Sequence, residues 1–188
     1  MTEINIGNQV WMGKNLDVDI FRNGDTIFHA KNDAEWEKAG KNRMPAWCYY
    51  NNDPLNGEIY GRLYNWFALD DPRGLAPMGW RIPSGKDWHK LVDNLGGKKN
   101  ASIKMKSITG WINGGNGTDE STFGGLPGGR RCSYGEFEST GLMAFWWTSS
   151  QDFLPGIAWY RFICFNDSIV YGSYGKKERG MSIRCIKE

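Results

Sequence analysis

The stretch IPSGKDWHKLVDNLGG, residues 82–97, sets the frame for the chain. Ser84 is followed three residues on by Asp87, the spacing of a capping box with Asp in place of Glu. Trp88, Leu91, Val92 and Leu95 then recur at i, i+3, i+4 and i+7, which is one apolar helix face. Gly96 and Gly97 end it. His89 falls off that face and reads as solvated. A helix over 84–95 with a single apolar stripe needs a partner surface, and the aromatic segments on either side supply one.

N-terminal to it, INIGNQVWMGKNL (residues 4–16) alternates as a strand pair, Ile4 and Ile6 then Val10 and Met12, across a Gly7-Asn8 turn. KNDAEWEKAGK (31–41) reads as a short helix capped by Asn32 or Asp33 and ended at Gly40. C-terminal to it, NASIKMKSITGW (100–111) holds a second short helix closing near Gly110. Residues 110–141 read as a long run of turns, which is functional or fixed by its own side chains. FWWTSS (145–150) and IAWYRFICF (157–165) are buried strands, SIVYGSY (168–174) follows an Asn166-Asp167 hairpin turn, and GMSIRCI (180–186) is the last strand. The order is a strand pair, helices, loops and an antiparallel meander, which is an α+β pattern in one domain over residues 1–188.

Composition supports that pattern. The 188 residues include 25 Gly, 10 Trp, 8 Tyr and 9 Phe, so many turns surround a core pinned by large rings. The 23 basic and 21 acidic side chains leave a net charge of +2, too balanced for nucleic acid as a partner. No segment has the apolar length of a membrane span. No basic start followed by an apolar run opens the sequence, so the expectation is a protein cytoplasmic as synthesised, unless a leader was removed or a partner displays it. Cys48, Cys132, Cys164 and Cys185 form no CxxC and no zinc spacing, and read as reduced thiols.

The chemistry of catalysis is thin. His29 and His89 sit in no motif, and Asp71 before Pro72 reads as a turn residue bonding backbone. Leu63, Trp66, Phe67 and Leu69 read as core, as do Trp146, Trp147 and Trp159. Arg130 and Arg131 read as loop arginines bonding backbone carbonyls. The expectation is no enzyme, no cofactor and no metal.

Seven segments, IGNQVWMGKNL, YGRLYNWFAL, DPRGLAPMGWRIPSGKDW, LPGGRR, FWWTSS, AWYR and SIRC, stand in the order found in the Fibrobacter succinogenes major paralogous domain, which the chain resembles from about Ile4 to Lys187. That family looks like a branch of the C-type lectin-like fold. The resemblance implies short antiparallel sheets with two or three helices, long ordered loops, paired termini, and a C-terminal sheet carrying the ligand surface. Relatives often carry a Cys at the position of Asp70 or Ala76 that can pair with the one at Cys185. Here that partner is missing.

Some relatives serve as variable proteins of diversity-generating retroelements, where AAY template codons become NNY codons that cannot encode Lys, Glu, Gln, Met or Trp. Tyr160 to Gly175 contains none of these five, although Ser121 to Gly135 passes the same test. The resemblance thus implies a binding protein with a diversified C-terminal surface, or alternatively a fixed carbohydrate-binding or adhesion module. The FND at 165–167 is similar to a calcium-lectin WND, but no EPN or QPD accompanies it.

Alternation along WYRFICF puts Trp159, Arg161, Ile163 and Phe165 on one face and Tyr160, Phe162 and Cys164 on the other. With Trp159 taken as inward, Tyr160, Phe162 and Cys164 point to ligand. Tyr171 and Ser173 share that side, and Tyr174 tips the next bend. With Phe153, Asn166, Asp167 and Ser168 they make the expected ligand-binding set, Tyr and Ser suiting a paratope. The expected partner is a protein ligand, engaged by a monomer.

Overall fold

A computed structural model describes residues 2–151 and 154–188. In chain order its elements are β1 (Glu3–Ile6), β2 (Gln9–Met12), β3 (Phe28–His29), α1 (Asp33–Lys41), β4 (Ala46–Cys48), α2 (Pro54–Tyr60), β5 (Leu63–Tyr64), α3 (Trp66–Leu69), β6 (Trp80–Arg81), α4 (Gly85–Asn94), α5 (Ala101–Met105), β7 (Gly128–Arg131), β8 (Phe137–Thr140), β9 (Met143–Gln151), β10 (Ile157–Cys164), β11 (Tyr171–Lys176) and β12 (Ile186–Lys187). The fold is α+β, as the order of sequence patterns implied. Among the described residues it has five α-helices rather than two or three, because α2 (7 residues) and α3 (4 residues) are too short to show a legible stripe.

The expected N-terminal hairpin is β1–β2, with Gly7 at φ +60° in its turn. β12 pairs with both β2 and β6, so the two ends of the chain lie in one four-stranded sheet, β1-β2-β12-β6. A second sheet runs β11-β10-β9-β7-β8, and a third β3-β4-β5. The β7–β8 hairpin was hidden in the glycine-rich run, where its register is held by the cross-strand pair Arg130 and Glu138. GMSIRCI is not one regular strand. Gly180, Met181 and Ser182 form isolated bridges to Arg131, Tyr64 and Trp146 before β12 begins.

β9 is buried on both faces, which explains its unbroken apolar run. Phe145 and Trp147 enter one core with Tyr64, Trp66 and Met181. Ala144 and Trp146 enter the other, with Trp11, Trp88 and Phe123. There Trp11 and Trp88 meet edge to face at 5.1 Å, and Trp88 and Trp146 lie 5.6 Å apart.

α4 forms as its sequence dictates. Ser84 Oγ accepts the Asp87 N–H at 3.3 Å, and Asp87 Oδ2 accepts the Ser84 N–H at 2.7 Å. Arg81 grips the same carboxylate with two bonds of 2.7 and 2.8 Å. The Arg81 guanidinium, with burial opposing and the Ser84 bonds assisting, holds the Asp87 carboxyl far below its ordinary value. Trp88, Leu91, Val92 and Leu95 are all buried. α1 starts at Asn32 as expected but runs through Gly40 to an Asn42 cap, and α5 stops at Met105 rather than near Gly110.

Candidate functional site

β10 and β11 form an antiparallel pair in which Phe162 faces Tyr171, Tyr160 faces Ser173, Arg161 faces Gly172 and Trp159 faces Tyr174. Tyr171 and Ser173 therefore share a side with Tyr160 and Phe162, as alternation required. The connection is not a two-residue turn at Asn166-Asp167. It is a loop spanning residues 165–170.

That loop is held mainly by its backbone. Lys106 Nζ donates to Asp167 O at 2.6 Å and to Phe165 O at 3.3 Å. Ser102 N donates to Ser168 O, Val170 N to Lys98 O, and Phe165 N to Leu142 O. Gly115, from the glycine-rich run, lies so close that a Cβ there would sit 2.6 Å from Phe165 O. Lys106 is itself buried, 5.2 Å above the Trp111 ring, and desolvation pulls its pKa down. The side chains add local bonds. Asp167 Oδ1 accepts Ile169 N–H, Asp167 Oδ2 accepts the Tyr171 hydroxyl, and Ser168 Oγ donates to Lys99 O. Asn166 is exposed.

Burial corrects the inward and outward assignment. Tyr160 is only 6% exposed and packs edge-on against Trp147 and Phe145, so it is a core residue. Phe162 is half-buried, stacked between Phe145 at 5.8 Å and Tyr171 at 4.9 Å. Cys164 is half-buried, and burial with nearby Asp167 pushes its thiol up. Trp159, expected inward, is instead half-exposed on the opposite face, edge-on to Tyr174 at 5.5 Å. Tyr174 is 54% exposed and stands within β11, not at a bend. Ser173 is half-buried. Phe153 lies outside the described residues.

The Trp159 face meets α4 across a groove of about 570 Å³, whose walls include Lys86, His89, Trp159 and Arg161. Arg161 reaches it because Gly172 opposite lacks a side chain. A Cβ there would lie 2.4 Å from Arg161 Nη1. Sequence reasoning took Trp159 as core and turned Arg161 inward with it; the signal against that was the cross-strand pairing of an arginine with a glycine.

Elsewhere the chemistry is structural. His29 stacks on Trp47 at 3.8 Å, and burial lowers its pKa. Asp71 accepts the Arg73 N–H and pairs with its guanidinium. Arg131 does bond carbonyls, of Gly135 and Ala30, but also Asp33, while Arg130 pairs with Glu138 and lies over Phe145. All four cysteines are free. Desolvation lifts Cys48 to about 11 and Cys185 to about 12 and raises Cys132 as well. Among the described residues no three His, Cys, Asp or Glu gather to hold a metal, and no helix is long and apolar enough to cross a membrane.

The Fibrobacter succinogenes major domain model matches residues 4–187, and the chain belongs to that family. Comparison with curated proteins and with solved structures gave no match.

Proposed function

We propose that this Fibrobacter succinogenes major domain is a non-enzymatic binding protein, one lectin-like domain that presents the β10–β11 hairpin and the 165–170 loop to a protein ligand. Its C-terminal surface is diversified, as in a variable protein of a diversity-generating retroelement. One observation carries this reading. The loop is anchored through main-chain atoms, by Lys106 Nζ, Ser102 N and Lys98 O. Such a loop keeps its path when its side chains change. Displayed positions are then Phe162, Cys164, Asn166, Asp167, Ser168, Tyr171, Ser173 and Tyr174, with Tyr160 withdrawn into the core. The raised thiol pKa values also weigh against a cysteine nucleophile.

A fixed-sequence carbohydrate-binding or adhesion module is the second reading. It is favoured by the exposed Trp159–Tyr174 pair, since Trp is outside the NNY set. Calcium has little to hold at Asp167, where both carboxylate oxygens already accept bonds. Sequencing the gene's locus across isolates tests the two. A reverse transcriptase gene with a template repeat matching codons near 150–185, and adenine-restricted substitutions at the displayed positions, supports diversification. A locus with neither leaves the fixed module.

A further inference from the structure

Among the described residues, Arg161 is a guanidinium without an anion. It is half-buried, and among the described residues no carboxylate pairs with it. Among the described residues its side-chain bonds run from Nη2 alone, to Gly85 O at 3.3 Å and to His89 Nε2 at 3.4 Å. Nε and Nη1 are left with no partner among the described residues. Half-buried Arg179 also lacks a carboxylate among the described residues but lies outside the groove, and the other covered guanidiniums are held. Arg62, Arg81, Arg130 and Arg131 each hold a carboxylate, and buried Arg184 is wrapped by Met12 O, Phe123 O and Asn15 Oδ1. Removing a cation from water without a partner is costly, and burial alone depresses the Arg161 pKa.

The surroundings share its sign. Lys86 and Lys98 line the same groove with Arg161 against one carboxylate among the described residues, Asp93, although the whole chain is nearly neutral. The groove also begins at the N-terminal end of α4, where the helix dipole favours negative charge. Trp159, Val92 and Val170 give it an apolar wall. Its volume of about 570 Å³ suits one or two side chains of a partner rather than a whole macromolecule.

We infer that this groove is an anchoring site for an acidic segment of a protein partner, with a Glu or Asp carboxylate accepting from a free N–H of Arg161, on Nη1 or Nε. The site rests on the reading of the hairpin as the ligand face, and gives that face a fixed electrostatic anchor beside its displayed residues. Both bidentate edges of a guanidinium use Nη2, which faces Gly85 O and His89 here, so the carboxylate accepts a single charge-assisted bond from Nη1 or Nε. Lys86 and Lys98 at the rim then raise the encounter rate rather than the intrinsic fit.

The test is an NMR titration of the intact chain with a capped acidic pentapeptide carrying two glutamates, and with its glutamine twin. The Trp159 indole N–H and the Arg161 Nε–H are the reporters. Saturable shifts at both, from the acidic peptide alone, are expected. Affinity should fall at least about tenfold in Arg161→Gln, the loss of about 1.4 kcal/mol. Lys86→Gln and Lys98→Gln alter exposed side chains that the fold does not need, and each should weaken binding with a reduced salt dependence. Equal shifts from the twin, no saturable shift from either peptide, or binding unchanged in all three variants overturns the anchor. A locus lacking a template repeat would remove diversification while leaving this result standing. Twin peptides binding alike would remove the acidic anchor and leave the hairpin as ligand face.

Discussion

Replacing Lys106 with Met separates the loop's support from its display. Lys106 is 3% exposed, and its ammonium bonds Asp167 O and Phe165 O. Hydrogen bonds from a charged group each contribute about 1.5–3 kcal/mol, and the loss leaves two carbonyls to find water. The substitution also relieves the desolvation of the ammonium, which offsets part of that loss. A net destabilisation of about 2 kcal/mol follows. In a chain of this size that lowers Tm by about 4–8 °C. Asn166→Ala and Ser173→Ala remove side chains with no hydrogen bond to the core, and should each change stability by less than about 0.5 kcal/mol. Thermal melts by circular dichroism give the magnitudes. Amide exchange across 165–170 localises the effect, with Lys106→Met losing protection there first. The reasoning fails if Lys106→Met melts with the parent, or if the Asn166 and Ser173 variants cost as much as it does.

Trp88→Ala should cost about 3–5 kcal/mol in urea unfolding, since it empties the ring cluster of Trp11, Phe123 and Trp146. Gly115→Ala drives a Cβ into Phe165 O and should cost about 1–3 kcal/mol, with faster exchange confined to the loop. Asp87 is held by Arg81 and Ser84 below its ordinary 3.8, so the folded state binds that proton less readily than the unfolded one. Its stabilisation is therefore complete above the ordinary value and lost as pH falls below it; acid melts of Asp87→Asn should lack this increment. In native alkylation with iodoacetamide, half-buried Cys164 should react before Cys48 and Cys185, whose thiols are lifted to about 11 and about 12. Equal rates at all three sites would contradict the burial described.

The helix at 84–95 was legible because every local signal there agrees with its packing. The cap, the stripe and the glycine stop point to one element, and Trp88 finds Trp146 as the stripe demands. The β7–β8 hairpin was not legible, because Gly128, Gly129 and Gly135 read as turn chemistry. What makes it a hairpin is the distant pairing of Arg130 with Glu138 and of Gly129 with Ala144. The hairpin β10–β11 shows the sharper limit. Alternation assigns parity, not direction, and here both faces of β10 are partly covered. Tyr160 enters one core with Phe145 and Trp147, while Ile163 on the other face enters the second core with Trp88 and Trp146. The size of Trp159 argued for the interior, but size does not choose between two covered faces. Arg161, of the same parity and opposite Gly172, was the better witness. A guanidinium needs either an anion or water, and a strand that turns one toward a groove rimmed by Lys86 and Lys98 has its open side there. On the proposed binding reading, the same parity that withdraws Tyr160 from the ligand set brings Trp159 and Arg161 into it. The proposed binding surface is then two-sided, an aromatic edge of Phe162 and Tyr171 on one face and a cationic groove on the other.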